Sequence, residues 1–139
     1  MRGPSDLAAR RILVADDDDA CRRAIVEALK DEGFLVAEAQ DGFELVKSIA
    51  PAIGGPEAPA PFDLIISSLR LPGWWAIDVV AKLSQHMLLP PFILTVRPGD
   101  EPLRRQARKL RGVVLLDRPF DADALRVMVR AMTLEVEGS

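Results

Sequence analysis

Four apolar segments of this sequence each end in polar or charged residues of the kinds that carry phosphoryl or metal chemistry. Adjacent carboxylates, hydroxyls and a cation can together hold a Mg²⁺ ion or a phosphoryl group. The groups are Asp16 and Asp17 at the end of the first segment, Ser67 and Ser68 at the end of the second, Thr95 in the third and Arg118 after the fourth. They can act together only if the fold brings these segment ends to one place.

The elements that must position these groups follow from the pattern of apolar residues. Segment 64–66 is apolar enough to be a central strand covered on both faces. The helix expected after Asp16 and Asp17 places small or apolar residues at helical spacing, namely Cys21, Ala24, Ile25, Ala28 and Leu29. Five such strands alternate with five helices, which predicts an α/β fold with a doubly wound parallel sheet. The chemistry of open α/β sheets lies beyond the carboxyl ends of the strands, so all four groups should share one rim.

Composition excludes several classes of protein. The chain has 139 residues, 49% hydrophobic and 28% charged, which fits one globular domain. A net charge of −3 gives no overall reason to expect nucleic acid or an acidic membrane as a partner. A single cysteine excludes an internal disulfide. With no apolar run of membrane length and no signal peptide, we expect a cytoplasmic protein without a membrane partner.

The domain boundaries follow from the outermost regular elements. We expect a flexible lead-in over residues 1–9, one domain over 10–133 and a flexible tail over 134–139. The segment 51–61, rich in proline and glycine, is expected to be a loop within that domain.

The chain resembles a receiver domain of a two-component response regulator over roughly residues 10–133. The stretches that carry the resemblance are ILVADDDDACRRAIVEAL, FLVAEAQDG, FDLIISSLRLPG, FILTVRPGD and LLDRPF. The resemblance implies a flavodoxin-like strand order 2-1-3-4-5 and a bacterial signalling module, not an enzyme. In that family an acidic pair and a phospho-accepting Asp bind Mg²⁺. A Thr or Ser and a Lys contact the phosphoryl group, and an aromatic residue on strand five reports the state.

Only part of the family's machinery is carried over to this chain. Asp16 and Asp17 match the acidic pair, Thr95 matches the switch hydroxyl, and Pro119 follows a peptide bond that is typically cis in the family. The departures are Ser68 at the phospho-acceptor position, Arg118 at the Lys position, Leu115 at the aromatic position, and Trp74-Trp75-Ala76 where Met-Asp-Gly is frequent.

These departures predict a receiver that works without phosphorylation. A serine hydroxyl needs a base before it can attack, and its presence at position 68 removes one negative charge from the metal site, so Mg²⁺ should bind weakly at most and no cofactor is expected. Arg118 can instead form a bidentate ion pair with Asp16 or Asp17 and fill the metal position. Leu115 has no aromatic ring that could change position with the phosphorylation state. The predicted function is therefore signal transduction by protein–protein interaction.

Other interpretations remain open at this point. The receiver could still be switched by a metal or another ligand, or by phosphorylation of Ser67 or Ser68. Asp63 is too far from the rim to replace the missing acceptor, about 16 Å along the strand. The Asp16–Asp19 run could simply cap the first helix. A small flavodoxin-like enzyme is disfavoured, because no glycine-rich phosphate loop follows strand one.

Two surfaces are candidates for contacts with a histidine kinase or an output protein. Trp74 and Trp75 are either a lid on the domain or an exposed aromatic anchor. Helix four carries Arg104, Arg105 and Arg108, which form either an ordinary solvated face or a basic docking surface. The resemblance also implies a homodimer surface made by helix four, strand five and helix five. His86 has no partner for chemistry in the sequence, and Cys21 is expected to fill space.

Overall fold

The fold is built on five short parallel strands whose apolar side chains are covered from both sides. The computed structural model describes residues 10–49, 62–84 and 89–138. The five strands lie in the order β2-β1-β3-β6-β7, which confirms the predicted order 2-1-3-4-5 once a short hairpin is numbered separately. Their bounds are Arg11–Ala15 for β1, Leu35–Ala39 for β2, Leu64–Ser68 for β3, Phe92–Val96 for β6 and Val113–Asp117 for β7.

Helices cover both faces of this sheet, as the alternating pattern predicts. Helices α1 and α5 pack on one face, where a buried cluster includes Ile12, Ile25 and Leu125. Helices α2, α3 and α4 pack on the other face over a cluster that includes Leu13, Leu45 and Ala107. The bounds are Asp19–Asp31 for α1, Gly42–Ile49 for α2, Ala76–Leu83 for α3, Glu101–Ala107 for α4 and Ala122–Gly138 for α5.

Strand β3 occupies the centre of the sheet because both of its faces are apolar. All five of its residues are buried. Ile65 packs into the α2–α3–α4 cluster, while Leu64 and Ile66 pack into the α1–α5 cluster. This two-sided burial fixes the register of the strand and so fixes where Ser67 and Ser68 emerge.

Aspartate side chains begin three of the helices, and a glycine follows the end of α1. The Asp18 side chain accepts a hydrogen bond from the Cys21 N–H at 3.0 Å and begins α1. Asp41 and Asp121 cap α2 and α5 in the same way, at 2.8 Å and 2.7 Å. Gly33 follows α1 with a φ of 97°, a conformation that costs glycine little because it has no Cβ.

The structure adds one element that the sequence did not predict. After β3, Arg70–Leu71 (β4) and Trp74–Trp75 (β5) pair as a small antiparallel hairpin. Pro72 and Gly73 occupy its turn, and Gly73 has a φ of 83°. Proline favours the first central position of such a turn and glycine the second, which explains why two residues suffice to reverse the chain.

Some predicted features lie outside the described residues, and the last helix extends beyond the predicted end of the domain. The lead-in 1–9, the loop 51–61 and His86 lie outside the described residues. Helix α5 continues to Gly138, so regular structure runs on past residue 133, where the domain was expected to end. Among the residues that the structure describes, no helix has both the length and the apolar character needed to cross a bilayer.

The burial of β3 leads to a stability prediction. Leu64 is 0% exposed, whereas Leu35 on the edge strand β2 is 53% exposed. Leu64→Ala should lower the free energy of unfolding by about 2–5 kcal/mol, because it removes buried methyl groups and leaves a cavity. The same substitution at Leu35 should change it by less than about 0.5 kcal/mol. Denaturant unfolding followed by circular dichroism measures both. Equal losses at the two positions would contradict the central placement of β3.

Candidate functional site

The strand register brings the four predicted groups to one rim of the sheet. Ala15 at the end of β1 lies beside Ser67, Ser68 at the end of β3 lies beside Thr95, and Val96 at the end of β6 lies beside Asp117. The residues that follow these strands therefore converge at the carboxyl edge. The expectation of a shared rim is confirmed.

Arg118 is the residue that joins this rim together. Its guanidinium forms an ion pair with Asp16 Oδ2. Its Nη2 also donates to Thr95 Oγ1 at 2.8 Å, and its Nε lies 3.1 Å from the same oxygen. Asp16 directly follows β1 and Thr95 lies on β6, and β3 lies between these two strands in the sheet. The side chain thus spans three strand ends, and Ser67 and Ser68 end the middle one. The peptide bond that follows, Arg118–Pro119, is cis, as expected.

The two carboxylates of the acidic pair have different environments. Asp16 is 1% exposed, and its second oxygen, Oδ1, accepts the Asp18 N–H at 2.9 Å. Asp17 is exposed. Arg118 therefore pairs with Asp16, but not in the predicted bidentate way. It contacts Oδ2 alone, because Oδ1 accepts the Asp18 N–H and the guanidinium also donates to Thr95. The pKa of Asp18 next to them is lowered, chiefly because its carboxylate accepts the backbone N–H of Cys21.

The end of β3 presents hydroxyls that are turned into the protein. Ser67 is fully buried, and its Oγ donates to the carbonyl oxygen of Ser68 at 2.9 Å. Ser68 is 4% exposed. Leu115 on β7 is half-buried, lies beside Leu94 in register and packs against the α2–α3–α4 cluster.

The donor set at the rim does not fit a resident Mg²⁺ ion. Mg²⁺ needs several hard oxygen donors in an octahedron, usually with one or two carboxylates. Asp16 already uses both oxygens in contacts with the protein, which leaves Asp17 as the open carboxylate of the acidic pair, and Ser68 offers a neutral hydroxyl. Within residues 10–49, 62–84 and 89–138, no cluster of three or more Asp, Glu, His or Cys side chains is arranged to hold a metal ion.

Arg22 is a positioning residue that the sequence did not reveal. It is 7% exposed and donates to the backbone oxygen of Asp16 at 2.7 Å. Its other nitrogens bind Asp19 at 2.6 Å and Glu38 at 2.9 Å. One guanidinium therefore ties the end of β1 to α1 and β2, and it fixes the backbone from which Asp16 projects. The sequence signal was weak: an arginine one turn into α1, with acidic residues on two elements around it.

A second unexpected ion pair connects the hairpin to the loop before α4. Asp100 is buried, and its carboxylate accepts from Arg70 Nε at 2.7 Å and from the Arg97 N–H at 3.1 Å. The β4–β5 hairpin and the β6–α4 loop are thus held together beside the rim. Such a pair joins residues thirty positions apart, and the sequence pattern carries no sign of it.

The predicted partner residues are placed in different settings. Arg104 is only 15% exposed and is bound by Asp117, with Glu101 at 3.5 Å. Arg105 and Arg108 are exposed on the same helix. The backbone of Trp74 and Trp75 forms β5, close to the start of α2, because the Gly42 N–H donates to the Pro72 carbonyl at 3.3 Å. Of the three arginines predicted to contact a partner, Arg105 and Arg108 are therefore the two that are exposed to solvent.

Comparison with known proteins adds an independent line of observation. A family model described as "Response regulator receiver domain" matches residues 12–130. Transcriptional regulatory protein FixJ of Bradyrhizobium diazoefficiens is 29% identical over 126 residues, covering 91% of this chain and 58% of that protein. Transcriptional regulatory protein PdtaR of Mycobacterium tuberculosis is 31% identical over 130 residues, covering 90% and 59%. The chain spans about half the length of the curated relatives it matches.

Solved structures give the same architecture. Full-length FixJ from B. japonicum superposes with a TM-score of 0.76 at 26% identity, covering 92% of this chain and 59% of that one. A response regulator receiver domain protein from Clostridium thermocellum superposes with a TM-score of 0.75 at 21% identity, covering 93% and 98%. The second likeness supports the fold alone.

The environment of Cys21 predicts low reactivity of its thiol. Burial and the negative charge of Asp16 raise the pKa of Cys21 to about 11, from an ordinary value of 9.0. Because the thiolate is the reactive form, reaction with DTNB at pH 8 should be about 100-fold slower than in the unfolded chain. Asp16→Asn should speed the reaction by removing the negative charge. Native and unfolded chains reacting at equal rates would contradict this placement of Cys21.

The burial of Asp16 predicts a large cost for losing its partner. Arg118→Ala should destabilise the fold by about 3–5 kcal/mol, because it leaves a buried carboxylate without a counter-charge. Arg126→Ala is the matched control, since Arg126 pairs with Asp123 on the surface and such pairs contribute about 0–1 kcal/mol. Urea unfolding compares the two variants. Similar losses would show that the Arg118–Asp16 pair does not hold the rim.

Proposed function

We propose that this chain, which belongs to the response regulator receiver domain family, transmits signals by protein–protein contacts without accepting a phosphoryl group. Its family makes it a module of two-component signalling. Membership alone leaves the mode of switching open, so the proposal depends on the residues at the rim.

One observation carries the proposal: Arg118 bridges Asp16 and Thr95. The resemblance assigns Asp16 to metal binding and Thr95 to phosphoryl binding, so a single guanidinium occupies the partners that both ligands would need. The interaction also neutralises Asp16 in a buried setting. Replacing it by Mg²⁺ would leave the Arg118 cation next to the metal ion, which like-charge repulsion opposes.

The chemistry at Ser68 supports the same conclusion. Phosphoryl transfer to a carboxylate needs no proton removal, whereas a serine hydroxyl needs a general base. Ser68 is 4% exposed, the Asp16 carboxylate is engaged by Arg118 and by the Asp18 N–H, and the Asp18 carboxylate accepts the Cys21 N–H. This burial also argues against the second interpretation, in which a separate kinase phosphorylates Ser67 or Ser68.

The residues that usually couple the phosphorylation site to the partner surface in this family are also missing or already engaged. Thr95 is already bound by Arg118, and Leu115 is half-buried against the core and has no hydroxyl. No aromatic side chain stands at position 115 to change position with the state of the rim. We therefore infer a receiver whose surface is presented in one arrangement.

The partner surface that we propose is made by α4, β7 and α5. Val114 on the edge strand β7 is 38% exposed, and Val127 on α5 is 69% exposed. Arg105 and Arg108 add positive charge on α4. Such a combination suits a second copy of this chain or an acidic signalling partner, either a histidine kinase or an output protein in the cytoplasm. Aromatic interleaving of the kind that binds nucleic acid is absent from this surface in the described residues.

Restoring the missing groups tests the proposal. Ser68→Asp with Arg118→Lys should create a Mg²⁺-dependent response to beryllium fluoride, a phosphoryl mimic, because it supplies a carboxylate and frees Asp16 from the fork of Arg118. The amide NMR spectrum should show saturable shifts at Asp16 and Thr95. The native chain should show none under the same conditions.

The single variants serve as controls. Ser68→Asp alone should respond weakly, because Arg118 still engages Asp16. Arg118→Lys alone should not respond, because no acceptor carboxylate is present. Saturable shifts in the native chain that reach α4 and β7 would overturn the proposal. They would identify a switch that works without an aspartate.

A further inference from the structure

A groove of about 510 Å³ runs between α1 and the start of α5, next to the rim but separate from the Ser68 position. Its walls are largely apolar. Ala24, Ile25 and Ala28 line it from α1, and Phe120 and Leu125 line it from the opposite side. Small side chains on α1 leave the space, and Phe120 provides an aromatic wall. The volume lies in the range of small-molecule sites, which are mostly apolar with a few well-placed polar groups.

One end of the groove carries charged groups, and they are not equally available. Asp18, Arg97 and Arg118 all line it. Arg118 is committed to Asp16 and Thr95, and the Asp18 carboxylate caps α1 through the Cys21 N–H. Arg97 is exposed, and no carboxylate of the described residues lies within salt-bridge distance of its guanidinium. The group left to recognise a ligand is therefore a guanidinium fork, which matches a carboxylate.

We propose that this groove binds a small amphipathic monoanion, an apolar body with one terminal carboxylate. The apolar body lies between α1 and Phe120, and the carboxylate meets Arg97. Arg118 and Pro119 also line the groove, so an occupant touches the residue that closes the rim. In a receiver that takes no phosphoryl group, such a ligand supplies the input. This role rests on the function proposed above, whereas the binding itself does not.

Octanoate is the probe, and octan-1-ol is the neutral probe of the same chain length. Titration of the native chain by amide NMR should give saturable shifts at Cys21, Ile25 and Phe120 with octanoate. Octan-1-ol should bind at the same residues about 2- to 5-fold more weakly, the usual contribution of an exposed ion pair.

Two pairs of variants separate the contributions of charge and shape. Arg97→Gln should remove the preference for octanoate over octan-1-ol, and Arg105→Gln, an exposed arginine away from the groove, should keep it. Ala24→Phe should weaken both probes at least tenfold by filling the groove, since Ala24 is exposed and the larger side chain disturbs no core. Ala131→Phe, at an exposed position on α5 outside the groove, should bind both probes normally.

Several outcomes would overturn the proposal. These are equal binding of the two probes by the native chain, unchanged octanoate binding in Ala24→Phe, or no saturable shifts in the groove. Shifts at the same residues on raising the protein concentration alone would assign the groove to a second copy of the chain instead. The beryllium fluoride experiment reads different residues, so failure of this site and failure of the proposed function remain distinguishable.

Discussion

The rim of this domain depends on the pairing of one buried carboxylate with a positive charge. Asp16 is placed by a strand that is covered on both faces, so its charge cannot be left to solvent. A buried charge is tolerated only when it is paired and hydrogen-bonded. Arg118 provides the pair, Asp18 provides a hydrogen bond, and Arg22 holds the backbone beneath. The closed state of the rim therefore follows from the same interactions that keep the carboxylate stable.

Much of this arrangement was predictable because it depends on local patterns and strand topology. The apolar strands, the caps at Asp18, Asp41 and Asp121 and the turn at Gly33 each carry a short-range signal. Parallel pairing then brings the strand ends together without further information. The Arg118–Asp16 pair could be foreseen only because the family resemblance puts both residues at the rim, and other long-range side-chain contacts lack such a signal. The Arg22 network and the Arg70–Asp100 pair join groups from separate elements, and only packing decides that they meet. The same holds for the groove beside Phe120.

The rim and the groove share Arg118 but differ in chemistry. At the rim, charges are paired, buried and saturated with hydrogen bonds, which favours a single arrangement. In the groove, apolar walls are open to solvent, and the Arg97 guanidinium has no carboxylate partner among the residues that the structure describes. The saturated rim resists new ligands. Covering the apolar walls of the groove would instead lower the free energy, because it removes apolar surface from water. The site of chemistry in the wider family and the ligand site that we propose in this chain are therefore neighbours rather than the same place.

The Arg118–Asp16 pair also bears on how the chain folds. Its partners are 102 residues apart in the sequence, among the longest separations that this domain contains. Contacts between residues so far apart in sequence require the intervening chain to be ordered first, so we expect this contact to form after the local elements and the inner strands. An interaction that is absent from the folding transition state slows unfolding and leaves the folding rate almost unchanged. The Arg118–Asp16 pair is therefore expected to stabilise the native state mainly by slowing its unfolding.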